Sequence, residues 1–312
     1  MDHLTKLELA IAVTRYGSPS KINTQLRRCG VGTLEEHLKQ LDDSSRQQLR
    51  TAAEDLMSRD VTAVLRETSE YPTLLDQVPN APPVLFCSGQ LSLLSAPSVG
   101  MCGSRRVSDE GLRAATICGS VAASHGLLAV SGYARGVDMA AHVSALESGG
   151  TTIIVLPEGI NHFSVKREIA SVWDTSRTLV VSQFSPTQTW NAGGAMARNS
   201  VIIGLSRALV VIEAGERGGT LSAGQRALEL GRRVIALQSS DMSPGNDRLL
   251  ESGAIAVSNA AELSSFLHEL RYVADEPTTS GSAQRHQDPL IPSSWVSPPG
   301  AGGGLVPPWD MD

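Results

Sequence analysis

From Ser98 to about Ala274 the chain alternates two kinds of pattern. Short, nearly continuous apolar runs (SVGMCGS, LLAVSG, TTIIVLP, TLVVSQF, RALVVIEA, RRVIALQS and AIAVS) read as strands. The stretches between them, DEGLRAATICGSVAASHG, VDMAAHVSALESG, SVKREIASVWDTS, AMARNSVIIGLS, TLSAGQRALELG and NDRLLESG, place apolar residues at helical spacing, and AAELSSFLHELRYVA closes the series. Strands that are apolar throughout are buried on both faces, and their alternation with helices means βαβ units around a parallel sheet. Such crossovers are right-handed. The fold class is therefore α/β: an extended Rossmann-like, doubly wound parallel sheet.

The flanks differ. Residues 1–70 are polar and helical in pattern, with no strand-like run, and predict a small helical N-terminal region. Within it TLEEHLKQL offers a capping box, Thr33 with Glu36, before apolar positions at helical spacing. The preceding CGVGT suits either a helix–turn–helix packing unit or a phosphate-holding helix hairpin. Residues 71–97 are punctuated by proline and read as an irregular lead-in with one or two short strands. Residues 275–312 are rich in Pro, Gly and Ser and predict a disordered tail. Its tip, LVPPWDMD, reads as an inert end or as a docking motif for a protein partner. The expected division is 1–70, 71–274 and 275–312.

Composition narrows the chemistry. With 312 residues, 41% of them hydrophobic, the chain can bury a substantial core. A net charge of −6 argues against a broadly basic nucleic-acid binder but leaves room for a local basic cleft. Four lysines stand against 22 arginines. Arginine is the better fork for phosphate, although coding bias gives the same skew. The four cysteines, Cys29, Cys87, Cys102 and Cys118, are scattered without a CxxC pair or a His cluster, so neither a metal site nor a disulfide is expected. No apolar run reaches the roughly 18 residues of a membrane span, and MDHLTKLELAIAV does not suit a signal peptide. A cytoplasmic protein without membrane association is expected.

In an open α/β sheet, ligands bind beyond the carboxyl ends of the strands, so the candidate residues are those following strands. After the first come Gly103, Ser104, Arg105 and Arg106, with a helix N-terminus behind them that favours an anion. The sequence here is neither GxGxxG nor a P-loop. After the second come Ser131, Gly132, Arg135 and Gly136. Arg135 has two readings: contact with a phosphate, or a structural role as an ion pair with Asp138 or a cap on a neighbouring loop. His142, in the following helix, suits packing better than catalysis. After the third lies Lys166, on a predicted helix. After the fourth comes a long loop with Trp190, a loop anchor or a stacking platform for a base, then Arg198 and Asn199. After the fifth, Gly218, Gly219 and Thr220 make a glycine turn directly before a helix, suited to an anion.

Taken together, GSRR (103–106), SGYARGVDMAAHVSAL (131–146), GGTTIIVLPEGI (149–160), ARNSVIIGLS (197–206) and VVIEAGERGGTLSAGQRALELGR (210–232) resemble, in order and spacing, the DNA-processing protein A family (DprA/Smf). YPTLLDQVPNAPPVLFCSG (71–89) resembles its lead-in, so the likeness covers about residues 71–254. The resemblance implies a protein that binds single-stranded DNA, helps load a RecA-type recombinase in natural transformation, often forms a homodimer, and has no catalytic residues or cofactor. Recombination and anti-phage defence are further expected settings. Carried over, Arg105, Arg135 and Arg198 are the DNA contacts, with the glycine turns holding phosphate. The chain departs from the family in several places. Arg198-Asn199-Ser200 stands for RNR, Ser182-Gln183 for SE, ALQSS for the segment with VPG, and a Pro/Gly tail for the C-terminal winged helix of many members. The alternative is a nucleotide sensor or hydrolase of the lysine-decarboxylase-like group in the same cleft. That group carries a glutamate three residues after the threonine, where this chain has Ala223, which leaves Glu213 as a substitute.

Overall fold

The computed structural model describes residues 1–16, 22–23, 26, 38–39, 41–238 and 243–272. The capping box at Thr33 and Glu36, the CGVGT turn and the whole 275–312 tail lie outside them. Among the described residues nine strands form one sheet: β1 (Val61–Leu65), β2 (Val84–Gly89), β3 (Ser98–Cys102), β4 (Leu128–Ser131), β5 (Thr152–Val155), β6 (Thr178–Ser182), β7 (Ala208–Val211), β8 (Arg233–Leu237) and β9 (Ile255–Val257). Their order is β1-β2-β6-β5-β4-β3-β7-β8-β9. β1 pairs antiparallel with β2, and β2 antiparallel with β6. All other neighbours are parallel. All seven strands expected from Ser98 onward form. The chain leaves β3 toward β6 on one side and resumes with β7 on the other, so the topological switch point lies between β3 and β7.

Helices cover both faces. They are α1 (His3–Tyr16), α2 (Asp43–Ser58), the single turn α3 (Thr73–Asp76), α4 (Asp109–Ser124), α5 (Val137–Glu147), α6 (Ala192–Leu205), α7 (Gly219–Glu229), α8 (Pro244–Glu251) and α9 (Ala260–Leu270). Leu128 and Val130 of β4 pack with Val201, Ile202, Leu221 and Leu249 from α6, α7 and α8. Ala129 points the other way, to Ala115, Cys118 and Leu263 from α4 and α9. The period-2 geometry of a strand thus gives each helix layer half of every β-strand. Each fully buried aliphatic side chain adds about 1.5–3 kcal/mol over its exposed state.

Two expectations are corrected. Residues 1–70 are not purely helical, since Val61–Leu65 is a strand. One face of it is covered by α1, whose Leu7, Leu9 and Ile11 share a buried cluster with Val61, Ala63 and Leu65. Five residues, two of them Thr and Ala, following directly on a helix, gave too short a run to register as a strand. The second correction concerns SVKREIASVWDTS, which makes turns and one 3-10 turn (Ala170–Val172) instead of a helix. The Tyr133 hydroxyl donates to the Ser164 carbonyl at 3.1 Å and accepts from the Lys166 N–H at 2.9 Å. It thereby occupies the Ser164 carbonyl, which a helix would pair with the Glu168 N–H. Phe163 and Trp173 continue the anchor as a run of rings 5.5 Å apart.

The lead-in is held by Arg66, only 2% exposed. Its Nε meets Asp76 Oδ1 at 2.5 Å and its Nη2 donates to the Asp76 carbonyl at 2.8 Å. No helix among the described residues is long and apolar enough to cross a membrane.

Candidate functional site

The loops after β3, β4, β6 and β7 meet at the switch point. Gly136 caps α5 with φ 85°, a left-handed conformation that favours glycine. A Cβ there would also approach the Ser104 carbonyl oxygen to 2.7 Å. The Thr220 hydroxyl donates to the Gly103 carbonyl at 3.1 Å, and Asn199 Nδ2 donates to the Gly219 carbonyl at 3.3 Å. Four loops are thus tied into one rim.

Two adjoining cavities open along it. The larger, about 580 Å3, lies at the switch point and is lined by Gly103 to Arg106, Arg217, Gly219 and Thr220. The smaller, about 340 Å3, lies over the ends of β4 and β5 and is lined by Tyr133, Arg135, Glu158, Phe163 and Lys166. Arg105, Ala134, Trp190 and Arg198 line both.

The arginines here fall into two kinds. Arg105, Arg106, Arg135 and Arg217 are exposed, and their side chains have no hydrogen-bond or ion-pair partner among the described residues. Elsewhere on the surface Arg46, Arg50, Arg59, Arg177 and Arg226 pair with carboxylates, while Arg167 and Arg271 are exposed without a side-chain partner among the described residues but stand apart from one another and line neither cavity. The expected alternative pairing of Arg135 with Asp138 does not form. Asp138 is buried and pairs instead with Arg198, Nη2 to Oδ2 at 3.2 Å, and accepts from the Ala134 N–H. Arg198 is 7% exposed, with its Nε buried and unpartnered. Its guanidinium lies so close over Gly132 that any side chain there would overlap it. Arg198 is therefore the floor of the cleft, whereas Arg105 and Arg135 are its free hands.

Other candidates fall into similar classes. Ser131 is fully buried and its hydroxyl donates to the Met101 carbonyl at 2.7 Å, stitching β4 to β3. The Lys166 ammonium is engaged by the Tyr133 carbonyl and ring. The helix N-terminus behind Arg105 already holds an anion. Ser108 caps Gly111 N–H, and the Glu213 carboxylate accepts from the Ser108 N–H at 3.0 Å and its hydroxyl at 2.7 Å. Glu213 is thus occupied and lines neither cavity. By contrast α7 is preceded at its N-cap by Gly218, with φ 120° and no capping side chain. Its first amides lie beside Gly219 and Thr220 on the wall of the larger cavity, where the helix dipole favours an anion.

Trp190 is 51% exposed and lines both cavities, which removes the loop-anchor reading. Arg106 and Arg217 also belong to the rim. The only signal for Arg217 in the sequence was its place beside the glycine turn. Cys102 ends β3 at the cleft floor as a free thiol, and burial pushes its pKa up to about 12.

Beneath the floor lies His142, fully buried. Its Nε2 is 2.6 Å from the Gly132 carbonyl and its Nδ1 2.6 Å from Thr152 Oγ1. A carbonyl only accepts, so Nε2 carries the proton. Burial, the largest influence, lowers the pKa from the ordinary 6.5. The folded ring stays neutral where the unfolded one charges. This contribution to stability is full above pH 6.5 and is lost as the pH falls toward the folded value. The stability advantage of the wild type over His142→Gln should shrink as the pH falls below 6.5, by at most about 1.4 kcal/mol per pH unit. Urea denaturation of both proteins between pH 7 and pH 5 checks this.

Comparison with known proteins places the chain in a family. The family model for DNA recombination-mediator protein A matches residues 62–268, starting at β1 and not at the lead-in. DNA processing protein DprA of Streptococcus pneumoniae is 36% identical over 199 residues, 62% of this chain and 70% of that one. Protein Smf of Escherichia coli is 34% identical over 229 residues, 71% of this chain and 61% of that one. The X-ray structure of the pneumococcal protein superposes with a TM-score of 0.66 at 26% identity, covering 85% of this chain and 98% of that one. DNA processing protein A of Helicobacter pylori, whose structure describes a single-stranded DNA binding mode, gives 0.59 at 25% identity, covering 67% and 96%. This chain belongs to the DNA recombination-mediator protein A family, that of DprA and Smf.

Proposed function

We propose that the protein binds single-stranded DNA in the cleft at the carboxyl ends of β3 to β7, as a step in DNA processing and recombination. The observation that carries this reading is the set of four exposed arginines without partners, Arg105, Arg106, Arg135 and Arg217, around two adjoining cavities. Phosphates of the strand sit on Arg105 and Arg135 and at the open N-terminus of α7, where Gly218, Gly219 and Thr220 supply the turn. Guanidinium–phosphate contacts are charge-assisted and often bidentate. A cleft with this concentration of positive charge attracts a polyanion even though the whole chain is acidic.

Trp190 completes the reading. An exposed indole between arginines offers a face on which any base stacks, and this supports a strand over a bare phosphate. Trp190→Ala should weaken binding of a single-stranded oligonucleotide by about 5- to 150-fold, the equivalent of 1–3 kcal/mol of stacking, with little change in folding stability. Fluorescence anisotropy with a labelled oligonucleotide and a thermal melt measure the two quantities. An unchanged affinity would remove Trp190 from the interface.

The nucleotide-hydrolase alternative gains no support from the geometry. Glu213, the substitute for the missing motif carboxylate, is committed to Ser108.

A further inference from the structure

Glu158 lines the smaller cavity among four cations, Arg105, Arg135, Lys166 and Arg198, and is the one carboxylate on its wall among the described residues. No hydrogen-bond or ion-pair partner meets its side chain among those residues. Its backbone is pinned: the Ser182 hydroxyl donates to the Glu158 carbonyl at 2.6 Å, and the following Gly159 N–H donates to the Gln188 carbonyl at 2.8 Å. An unpaired carboxylate works against a phosphate directly beside it, because like charges repel at short range, so the strand's phosphates lie on the arginines at the rim and not next to Glu158. It favours a neutral group that donates hydrogen bonds. Tyr133, Leu156 and Phe163 give the same cavity apolar and aromatic walls.

A nucleobase has these properties: flat, neutral, and polar only at its edge. Cytosine, adenine and guanine each present an exocyclic amine that a carboxylate accepts from, as acidic side chains do from cytosine N4. Thymine presents a single N–H between two carbonyl oxygens, which a carboxylate repels. We propose that Glu158 reads the edge of one base in the smaller cavity and selects amine-bearing bases against thymine. This rests on the single-stranded DNA reading above and specifies which strands the cleft prefers.

The experiment compares oligo-dC and oligo-dT of equal length by fluorescence anisotropy, for the wild type and Glu158→Gln. Both homopolymers are pyrimidine, so base size does not decide the outcome. The wild type should bind oligo-dC at least about fivefold tighter, the lower end of what one good base-edge pairing gives. In E158Q the two should converge to within about twofold, because an amide offers a donor as well as an acceptor to thymine. Equal wild-type affinities, or a preference that survives E158Q, would overturn the proposal while leaving strand binding intact. Failure to bind either oligonucleotide would overturn both readings.

Discussion

Replacing Arg105 and Arg135 together by alanine should reduce the affinity for single-stranded DNA by roughly 100-fold at low salt, the sum of two charge-assisted contacts at the lower end of about 1.5–3 kcal/mol each. Neither side chain has a partner to lose among the described residues, and both are exposed. The melting temperature should therefore stay close to that of the wild type, since surface changes away from such features fall within about 0.5 kcal/mol. The control is Arg46→Ala with Arg226→Ala, two arginines that are paired with Asp43 and Glu229 away from the cleft. These should leave binding unaltered. A similar loss from both pairs would mean that net charge, and not the cleft, governs affinity.

The second large effect concerns stability. Asp138→Ala removes the partner of a buried guanidinium: Arg198 and Asp138 have side chains only 9% and 7% exposed. Breaking one half of such a pair strands an uncompensated charge and costs about 3–5 kcal/mol. For a protein of this size that corresponds to a fall in melting temperature of about 10 °C. Adding Arg198→Leu to Asp138→Ala should recover much of the loss, because the charge that was left unpaired is gone. Circular dichroism melts of the wild type, the single and the double variant decide it. A single variant as stable as the wild type would show that the floor of the cleft does not depend on this pair. The two arginine classes are thus separable by measurement: Arg135 acts on affinity, Arg198 on the fold that presents it.

That division was only partly legible in the sequence. The strands from Ser98 onward were readable because a parallel strand buried on both faces is a continuous apolar run, and the alternation with helices fixes the architecture. Arg135 stood out for a sound reason, a charge between glycines just past a strand. The partner of Asp138 was not readable. Arg135 is three residues away and invites an ion pair, whereas the actual partner, Arg198, is 60 residues distant and arrives through α6. Residues whose roles are set by a distant contact leave no local trace. Ser131 and Lys166 likewise have partners, Met101 and Tyr133, that come from other loops or strands. The helix expected at 164–176 failed because a tertiary contact from Tyr133 overrode the local pattern. Trp190 carried an ambiguity that only exposure resolves, because the same loop suits an anchor and a platform equally well.

The salt dependence of binding tests the central claim most directly. For a single strand, log K falls with log salt by about 0.7 for each phosphate neutralised. With two to four of Arg105, Arg106, Arg135 and Arg217 on phosphates, the wild type should give a slope between about −1.4 and −2.8. The Arg105→Ala, Arg135→Ala variant should be shallower by about 1.4. No binding to single-stranded DNA at low salt, or the same slope in both proteins, would contradict the assignment of this cleft as the strand-binding site.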